Sequence, residues 1–379
     1  MKIGFDSKRL FNNFTGLGNY SRTLMKNLVA FYPENEYFLY TPVQKQTEIT
    51  SPFLDNPLYH TRLPDTVFKS YWRSYSIKHQ LIKDNIQLYH GLSNEIPAGL
   101  SKTPVKSIVT IHDLIFKCYP ETYQAIDRMI YDFKFNYACQ QADRIIAISE
   151  NTKKDIIEFY RIDPEKIDVI YQACNPLYYT LREQAENDRV TGYYGIPRDY
   201  LLYVGTVEPR KNLKRVIESL RYLKPDLHIP LVVIGKGGKY KQEARQMVIK
   251  NGLEKSFHWI DHLVDQSHLQ SIYQNAKALI YPSLYEGFGL PVAEALLSNI
   301  PVITSDRSSL KEAGGPASIY INPESSEEIA AAIERVLTDS VLRQTMIAQG
   351  YQFALLTFAP EKATKNVVEC YKRTLGNGM

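Results

Sequence analysis

The stretch YEGFGLPVAEA (285–295) sets two carboxylates, Glu286 and Glu294, around Gly287, Gly289 and Pro291. Proline suits the first position of a helix, where its missing N–H and fixed φ do no harm. The helix is therefore expected to start near Leu290, with Glu286 in the turn before it and Glu294 about one turn inside. Glycines at 287 and 289 let the backbone approach a ligand closely. N–H groups near Gly289 and Leu290 would leave the helix N-terminus free to hold an anion such as phosphate. Carboxylates beside a phosphate would repel it, so they need another task. Each can accept paired hydrogen bonds from vicinal hydroxyls, as on a ribose or a hexose. The plainer alternative is that Glu294 only favours the helix dipole, by ~0.3–1 kcal/mol, and that Glu286 is solvated. The glycines and proline between the two acids favour the ligand reading.

A second candidate is GTVEPRKN (205–212), which closes a strand-like run and should place Arg210 and Lys211 at the start of the next helix. Cations there oppose the helix dipole. A bound diphosphate would reverse the balance, with Arg210 as a fork-shaped donor and Lys211 as a mobile point charge; otherwise the pair is simply solvated. In TGLGNY (15–20), Gly16 and Gly18 open a helix, but Ser21 stands where a dinucleotide fingerprint needs its third glycine, and the loop begins well after the strand. A flexible backbone loop facing a phosphate remains open for it. GKGGKY (235–240) lacks the order of a phosphate-binding Walker loop and reads as a turn near a nucleobase. TIHDL (110–114) ends a strand at His112 and Asp113: His112 could donate to a sugar hydroxyl or stabilise developing charge, or Asp113 could merely cap the next segment. HGLSNE (90–95) could help hold an acceptor. There is no HExxH, no GxSxG and no DxD-type acidic pair, so no metal site is expected.

Strand-like runs must position these groups. KIGFD (2–6), EYFLY (36–40), IQLYH (86–90), KSIVTIH (106–112), RIIAI (144–148) and IDVIY (167–171) alternate with helical segments such as 18–31 and 126–142. A second series follows: YLLYVGT (200–206), PLVVIG (230–235), SFHWI (256–260), KALIYPS (277–283), PVITS (301–305) and ASIYI (317–321). Such alternation predicts an α/β fold of two doubly wound domains with parallel sheets, facing a cleft at their strand C-termini. The expected divisions are 1–173, 174–358 and a terminal helix in 359–379. Residues 174–199, rich in proline, glycine and mixed charge, read as the linker.

With 379 residues the chain is long enough for two cores. A formal charge of +4 gives no reason to expect nucleic acid. Four cysteines with no CxxC pair suggest a reduced, cytoplasmic protein. The N-terminus shows no signal-peptide pattern, and no run approaches the ~20 apolar residues that span a bilayer. Twenty-eight tyrosines fit either contacts to sugars or a membrane interface, or compositional drift with tyrosines on the surface.

Together these motifs resemble the retaining glycosyltransferases of GT-B family four, over essentially the whole chain and most closely from 200 to 322. The family's most specific motif, two glutamates separated by seven residues, is matched by Glu286 and Glu294. The resemblance implies a nucleoside-diphosphate sugar donor, GDP- or UDP-linked, with no cofactor and no metal. It implies that Glu286 holds donor-sugar hydroxyls, that Glu294 holds the ribose diol, and that Arg210 and Lys211 neutralise the leaving diphosphate. Backbone groups of Phe288, Gly289 and Leu290 would assist, and His112 would face the transferred sugar. Gly16, Gly18, Gly205, Gly235, Ile260 and Gly287 complete the expected donor contacts. The last helix, around 360–376, would cross back onto the first domain. The acceptor would be a glycan or a lipid-linked glycan in surface-polysaccharide assembly. The basic, aromatic stretch 67–83 would then either touch an anionic inner membrane surface or form an ordinary surface helix with its apolar face on the core. A sugar-nucleotide epimerase or nicotinamide oxidoreductase on a similar scaffold, and a non-catalytic nucleotide-sugar binder, are the alternatives. The off-pattern glycine loop disfavours an oxidoreductase, and the intact acid and base pairs disfavour a dead site. Nucleobase, sugar, acceptor and linkage are not readable from the residues.

Overall fold

The computed structural model describes residues 1–376, with only the backbone of Gln266. It divides into two compact units: Met1–Ala173 together with the segment from Ala359, and Cys174–Phe358. In the first unit the strands are β1 (Lys2–Asp6), β2 (Glu36–Tyr40), β3 (Tyr59–Arg62), β4 (Leu88–Gly91), β5 (Lys106–Ile111), β6 (Arg144–Ala147) and β7 (Ile167–Val169). They form a parallel sheet in the order β3-β2-β1-β4-β5-β6-β7. In the second unit β8 (Leu201–Val204), β9 (Leu231–Ile234), β10 (Phe257–Ile260), β11 (Ala278–Tyr281), β12 (Val302–Ser305) and β13 (Ile319–Ile321) form another, in the order β10-β9-β8-β11-β12-β13. The α/β, doubly wound reading of the sequence holds in both units.

Most central strands are apolar runs buried on both faces, as a sheet covered by helices on each side requires. The runs in β8, β9 and β11 are wholly buried. β3 was not expected. Its sequence, YHTR, has no apolar run, and it survives as an edge strand with one buried residue, Tyr59. Residues 174–199 are not a linker. The helix Gln184–Tyr193 packs on the helix Gln266–Asn275, tied by Gln184 Nε2 to Asn275 Oδ1 (2.9 Å) and by Asn187 Nδ2 to Gln274 Oε1 (3.2 Å). Its few buried residues, Asn187, Val190 and Thr191, give a weak apolar stripe, so the sequence reads as loop.

The tyrosines are largely not on the surface. Tyr37, Tyr40, Tyr89, Tyr200, Tyr203, Tyr273, Tyr281 and Tyr371 are among the largest fully buried side chains. A buried phenol needs a hydrogen-bond partner, and several of these lock elements together. Tyr371, on the helix Pro360–Thr374, bonds His90 Nδ1 at 2.7 Å, and His90 Nε2 meets Thr110 Oγ1 at 2.8 Å. Val367, Val368, Cys370 and Tyr371 join Ile3 and Phe5 in the first unit's core. The terminal helix is thus part of the first unit. Among the described residues no helix is long and apolar enough to cross a membrane.

Removing the Tyr371 hydroxyl would leave a buried imidazole nitrogen without its partner. Tyr371→Phe is expected to lower stability by about 1–3 kcal/mol, read from the midpoint of urea unfolding at an unchanged slope.

Candidate functional site

A doubly wound sheet opens beyond its strand C-termini where the strand order reverses, because adjacent connections leave in opposite directions. In the second unit this point lies between β8 and β11. The segments leaving those two strands are the ones carrying Arg210, Lys211 and Glu286.

The β8 segment does not run straight into a helix. Residues 209–211 make a short 3-10 turn, Asn212 takes a left-handed conformation (φ 61°), and the helix begins at Leu213. Arg210 and Lys211 therefore precede the helix rather than starting it, which corrects the sequence expectation. Asn212 pins the turn by donating to Pro323 O (2.6 Å) and Pro282 O (3.3 Å). Gly205 and Gly235 explain each other. A Cβ on Gly235 would lie 1.9 Å from Gly205 O, and one on Gly205 would press on the Lys211 side chain at 3.3 Å. The bare backbone at 205 gives Lys211 its path.

The β11 segment turns at 285–289 and enters the helix Leu290–Leu297, with Pro291 in its first turn. Gly289 sits at φ 112°, and a Cβ there would be 2.8 Å from Leu310. Ser309 Oγ donates to the carbonyls of Glu286 (2.8 Å) and Phe288 (2.9 Å), and the Glu286 N–H donates to Ser308 Oγ (3.0 Å). The Phe288 ring does not face a ligand surface; it is buried edge-on to Phe358, with centroids 5.4 Å apart.

The two segments meet on one carboxylate oxygen. Glu286 Oε1 accepts from Lys211 Nζ at 2.8 Å and from the Tyr281 hydroxyl at 3.0 Å, and lies 3.0 Å from Arg210 Nη1. Lys211 also donates to Tyr281 Oη at 2.5 Å. Arg210 donates to Glu208 Oε1 (2.6 Å) and to Tyr285 O, and Leu284 N–H donates to Arg210 O at 2.8 Å. The contacts from Lys211, Tyr281 and Arg210 all go to Oε1. Burial alone would raise the Glu286 carboxyl, but Lys211 and Arg210 outweigh it and hold it at about 2. Glu286 is thus ionised at any ordinary pH. The Arg210 guanidinium, penalised by burial, is pushed up by Glu286 and Glu208.

Glu294 lives in a different environment. Partly exposed on the helix Leu290–Leu297, it accepts from the Tyr273 hydroxyl at 3.1 Å and has no cation partner among the described residues. Enclosure by protein raises its carboxyl to about 7 despite that bond. Ile260 ends β10, with its carbonyl accepting from Gly235 N–H at 3.2 Å. Beyond it Asp261 accepts from Arg245 (3.2 Å) and from Lys241.

The remaining expected residues belong to the first unit. His112 follows β5 and is buried. Its Nε2 lies 2.8 Å from Leu92 O, its backbone N–H donates to Asn94 Oδ1 at 2.8 Å, and Tyr20 stands edge-on at 4.7 Å. A carbonyl can only accept, so Nε2 carries the proton and Nδ1 is an acceptor. Burial lowers the ring pKa to about 4. His112 is therefore neutral with its one ring N–H already used, which corrects the expectation that it donates to a sugar hydroxyl. Gly16 and Gly18 form the first turn of the helix Gly16–Phe31 rather than a free loop. A Cβ on Gly18 would fall 1.8 Å from Asn13 O, so packing alone requires that glycine. His90 is committed to Tyr371 and Thr110, and Glu95 pairs with Arg73 (2.8 Å), so neither is presented for an acceptor. Sequence reasoning missed Tyr281, Tyr273, Asn212 and Ser309. Only Tyr281, as the last residue of an apolar strand beside the site, carried a readable signal.

Comparison with known proteins agrees over both units. The family described as Glycosyl transferases group 1 matches residues 195–353, and that described as Glycosyltransferase Family 4 matches residues 14–176. O-antigen chain mannosyltransferase B of Escherichia coli is 29% identical over 98% of this chain and 100% of its own. O-antigen chain mannosyltransferase RfbU of Salmonella typhimurium is 29% identical over 75% and 74%. Among solved structures, a glycosyltransferase from Rickettsia africae superposes with a TM-score of 0.77 at 16% identity, covering 99% of each chain. Anabaena HepE in complex with UDP superposes with a TM-score of 0.76 at 15% identity, over 98% of this chain and 100% of that one.

Glu286→Gln would leave Arg210 and Lys211 buried without their shared counter-charge. It is expected to cost about 3–5 kcal/mol, measured by urea unfolding at pH 7. For Glu294 the folded carboxyl sits above the ordinary 4.5, at about 7. The folded state then holds its proton longer than the unfolded chain. Stability should fall as pH rises from about 4.5 through 7, and the Glu294→Gln variant should lack that component. Parallel slopes for parent and variant across this window would contradict the assignment.

Proposed function

This chain belongs to the GT-B glycosyltransferases of family 4, and from that premise we propose that it moves a hexose from a nucleoside-diphosphate sugar, GDP- or UDP-linked, to a glycan or lipid-linked glycan, with retention of configuration and without a resident metal. The names of its relatives in Escherichia coli and Salmonella support mannose as the hexose and O-antigen as the product class. The observation that carries the reading is the meeting of Arg210, Lys211 and Glu286 at the strand-order reversal of the second sheet.

In the protein by itself, Glu286 and Glu208 balance the charges of Arg210 and Lys211. A diphosphate brings its own counter-charge. Arg210 can then offer its fork to two phosphate oxygens, while Lys211 follows the charge that develops as the sugar leaves. The helix Leu290–Leu297 would add its positive end, reached through the backbone at Phe288, Gly289 and Leu290. Stabilising the departing diphosphate is the largest effect this site offers, and it places positive charge where a metal would otherwise stand. Glu286, held ionised and with Oε2 outside the contacts to its cations, would accept from hydroxyls of the donor sugar. Glu294 would accept from the ribose diol. Retention would follow from attack on the face the diphosphate leaves, with a phosphate oxygen taking the acceptor's proton. His112 would contribute as a neutral acceptor through Nδ1 to a sugar hydroxyl. The donor is assigned to the second unit and the acceptor to the first. Four free cysteines fit a cytoplasmic setting, with peripheral membrane contact through 67–83.

A panel of GDP-mannose, UDP-glucose and ADP-glucose, scored by thermal shift and by the anomeric proton coupling of the product, tests the reading. An inverted product, or activity abolished by EDTA, would remove the corresponding part of it. Arg210→Ala is expected to weaken donor binding and transfer together. Glu286→Ala, assayed below its melting temperature, should lower kcat at least 100-fold with less than tenfold change in donor Kd. Parental kcat in that variant would end the role given to its carboxylate.

A further inference from the structure

The helix Ala125–Gln141 has two apolar faces. Phe135, Ala138 and Cys139 are buried in the first unit's core. Ile126, Met129, Ile130 and Phe133, at i, i+3, i+4 and i+7, form a second stripe on the other side. That stripe is left in water, with Met129 and Phe133 exposed by 71% and 73%. Singly exposed apolar residues are ordinary, but a contiguous set marks an interaction surface. The stripe forms one wall of an open groove of about 490 Å³, whose other wall carries Tyr75 and Ala98. This volume lies within the ~300–1,000 Å³ usual for small-molecule sites.

The groove's charged groups and its Tyr137 hydroxyl are already engaged. The Tyr137 hydroxyl accepts from Gly99 N–H at 2.7 Å, and Lys134 and Arg73 both pair with Glu95. Such a groove suits hydrocarbon. The neighbouring segment 67–83 is not one surface helix. It consists of Lys69–Tyr71, a π-helical turn Trp72–Ser76, and the helix Ile77–Lys83. Trp72, Ile77 and Leu81 are buried, while Val67 and Phe68 are exposed by 85% and 72%, and Tyr71 and Tyr75 stack at 5.1 Å. The same segment holds Lys69, Arg73, Lys78 and Lys83 and no acid. A two-fold contact would set Lys69, Lys78 and Lys83 of this segment against their own copies, which disfavours a second copy of the chain as the occupant.

The groove also has a direction. Glu95 and Ile96 at its edge follow β4, in the same loop as Leu92 and Asn94, which hold His112 in place. A chain lying in the groove would carry its polar head to the C-terminal ends of β4 and β5.

We propose that this groove binds the prenyl or acyl chain of a phosphate-linked lipid acceptor, delivering the acceptor's head group to the strand ends at His112. The assignment rests on the lipid-linked acceptor of the proposed function and adds a chain-binding site to it.

The test uses the full-length protein and farnesyl monophosphate, kept below its micellar concentration, with inorganic phosphate as control. Met129→Lys combined with Phe133→Lys changes only exposed side chains, and an unchanged melting temperature confirms folding. The parent is expected to bind farnesyl monophosphate at least tenfold more tightly than phosphate, and the double variant to lose that margin. Binding of GDP or UDP should be equal in both proteins. Equal farnesyl monophosphate binding by parent and variant would overturn the proposal. So would a variant impaired only in sedimentation with phosphatidylglycerol vesicles, which would make the stripe a bilayer contact, or a parent dimer dissolved by the substitutions without any lipid binding. Failure of both proteins to bind a nucleoside diphosphate, with the farnesyl difference intact, would instead strike the donor reading and leave the groove assignment standing.

Discussion

One buried carboxylate governs the second unit. Glu286 holds two cations at 2.8 and 3.0 Å, where the three side chains are only 10–12% exposed and water screens them little. Removing Glu286 would take from Arg210 and Lys211 the counter-charge they share, which is far more costly than the modest net gain of forming the set. The surrounding architecture is therefore obliged to keep the segments after β8 and β11 together. Asn212, Tyr281 and Ser309 serve that end through bonds to backbone or to the charged groups themselves. Gly205 serves it by leaving room for the lysine side chain. If the proposed diphosphate binds here, it can replace an internal counter-charge rather than create a new buried one.

The two glutamates of the opening motif show how environment divides roles between identical side chains. They lie on one short stretch, yet the carboxyl with cation neighbours is held at about 2 and the one facing a tyrosine hydroxyl is raised to about 7. Glu286 is an unconditional charge. Glu294 changes protonation within the physiological range, so its hydrogen-bonding character depends on pH and on whatever approaches it.

Much of this was legible in the residues. Twelve of the strands announce themselves as apolar runs, because strands buried on both faces tolerate little else. The site is legible where glycine, proline, acid and base types are improbable together for structural reasons alone, as in 205–212 and 286–294. What was not legible depends on contacts distant in sequence. The edge strand YHTR is held by backbone pairing rather than by its side chains. The helix Gln184–Tyr193 is held by side-chain amide hydrogen bonds to Gln274 and Asn275, about 90 residues away. The 3-10 turn at 209–211 depends on Asn212 reaching Pro323. The tyrosines mislead by composition, since their burial follows from partners such as Ile272 O and Leu28 O that no local pattern reveals.

The histidines of the first unit complete the electrostatic logic. His90 is pushed to about 3 and His112 to about 4 by burial, and both have ring nitrogens committed to neighbours within the unit. Neither can bring positive charge to a departing diphosphate near neutral pH. If the transfer proceeds as proposed, stabilising that charge falls to Arg210 and Lys211, whose protonation is secured by the acid that holds them. The first unit then contributes shape and neutral hydrogen-bonding capacity. Were His112 to meet the sugar as proposed, its neutral ring would offer a hydroxyl an acceptor without drawing the diphosphate away from the cations, so that charge recognition and sugar recognition would not compete.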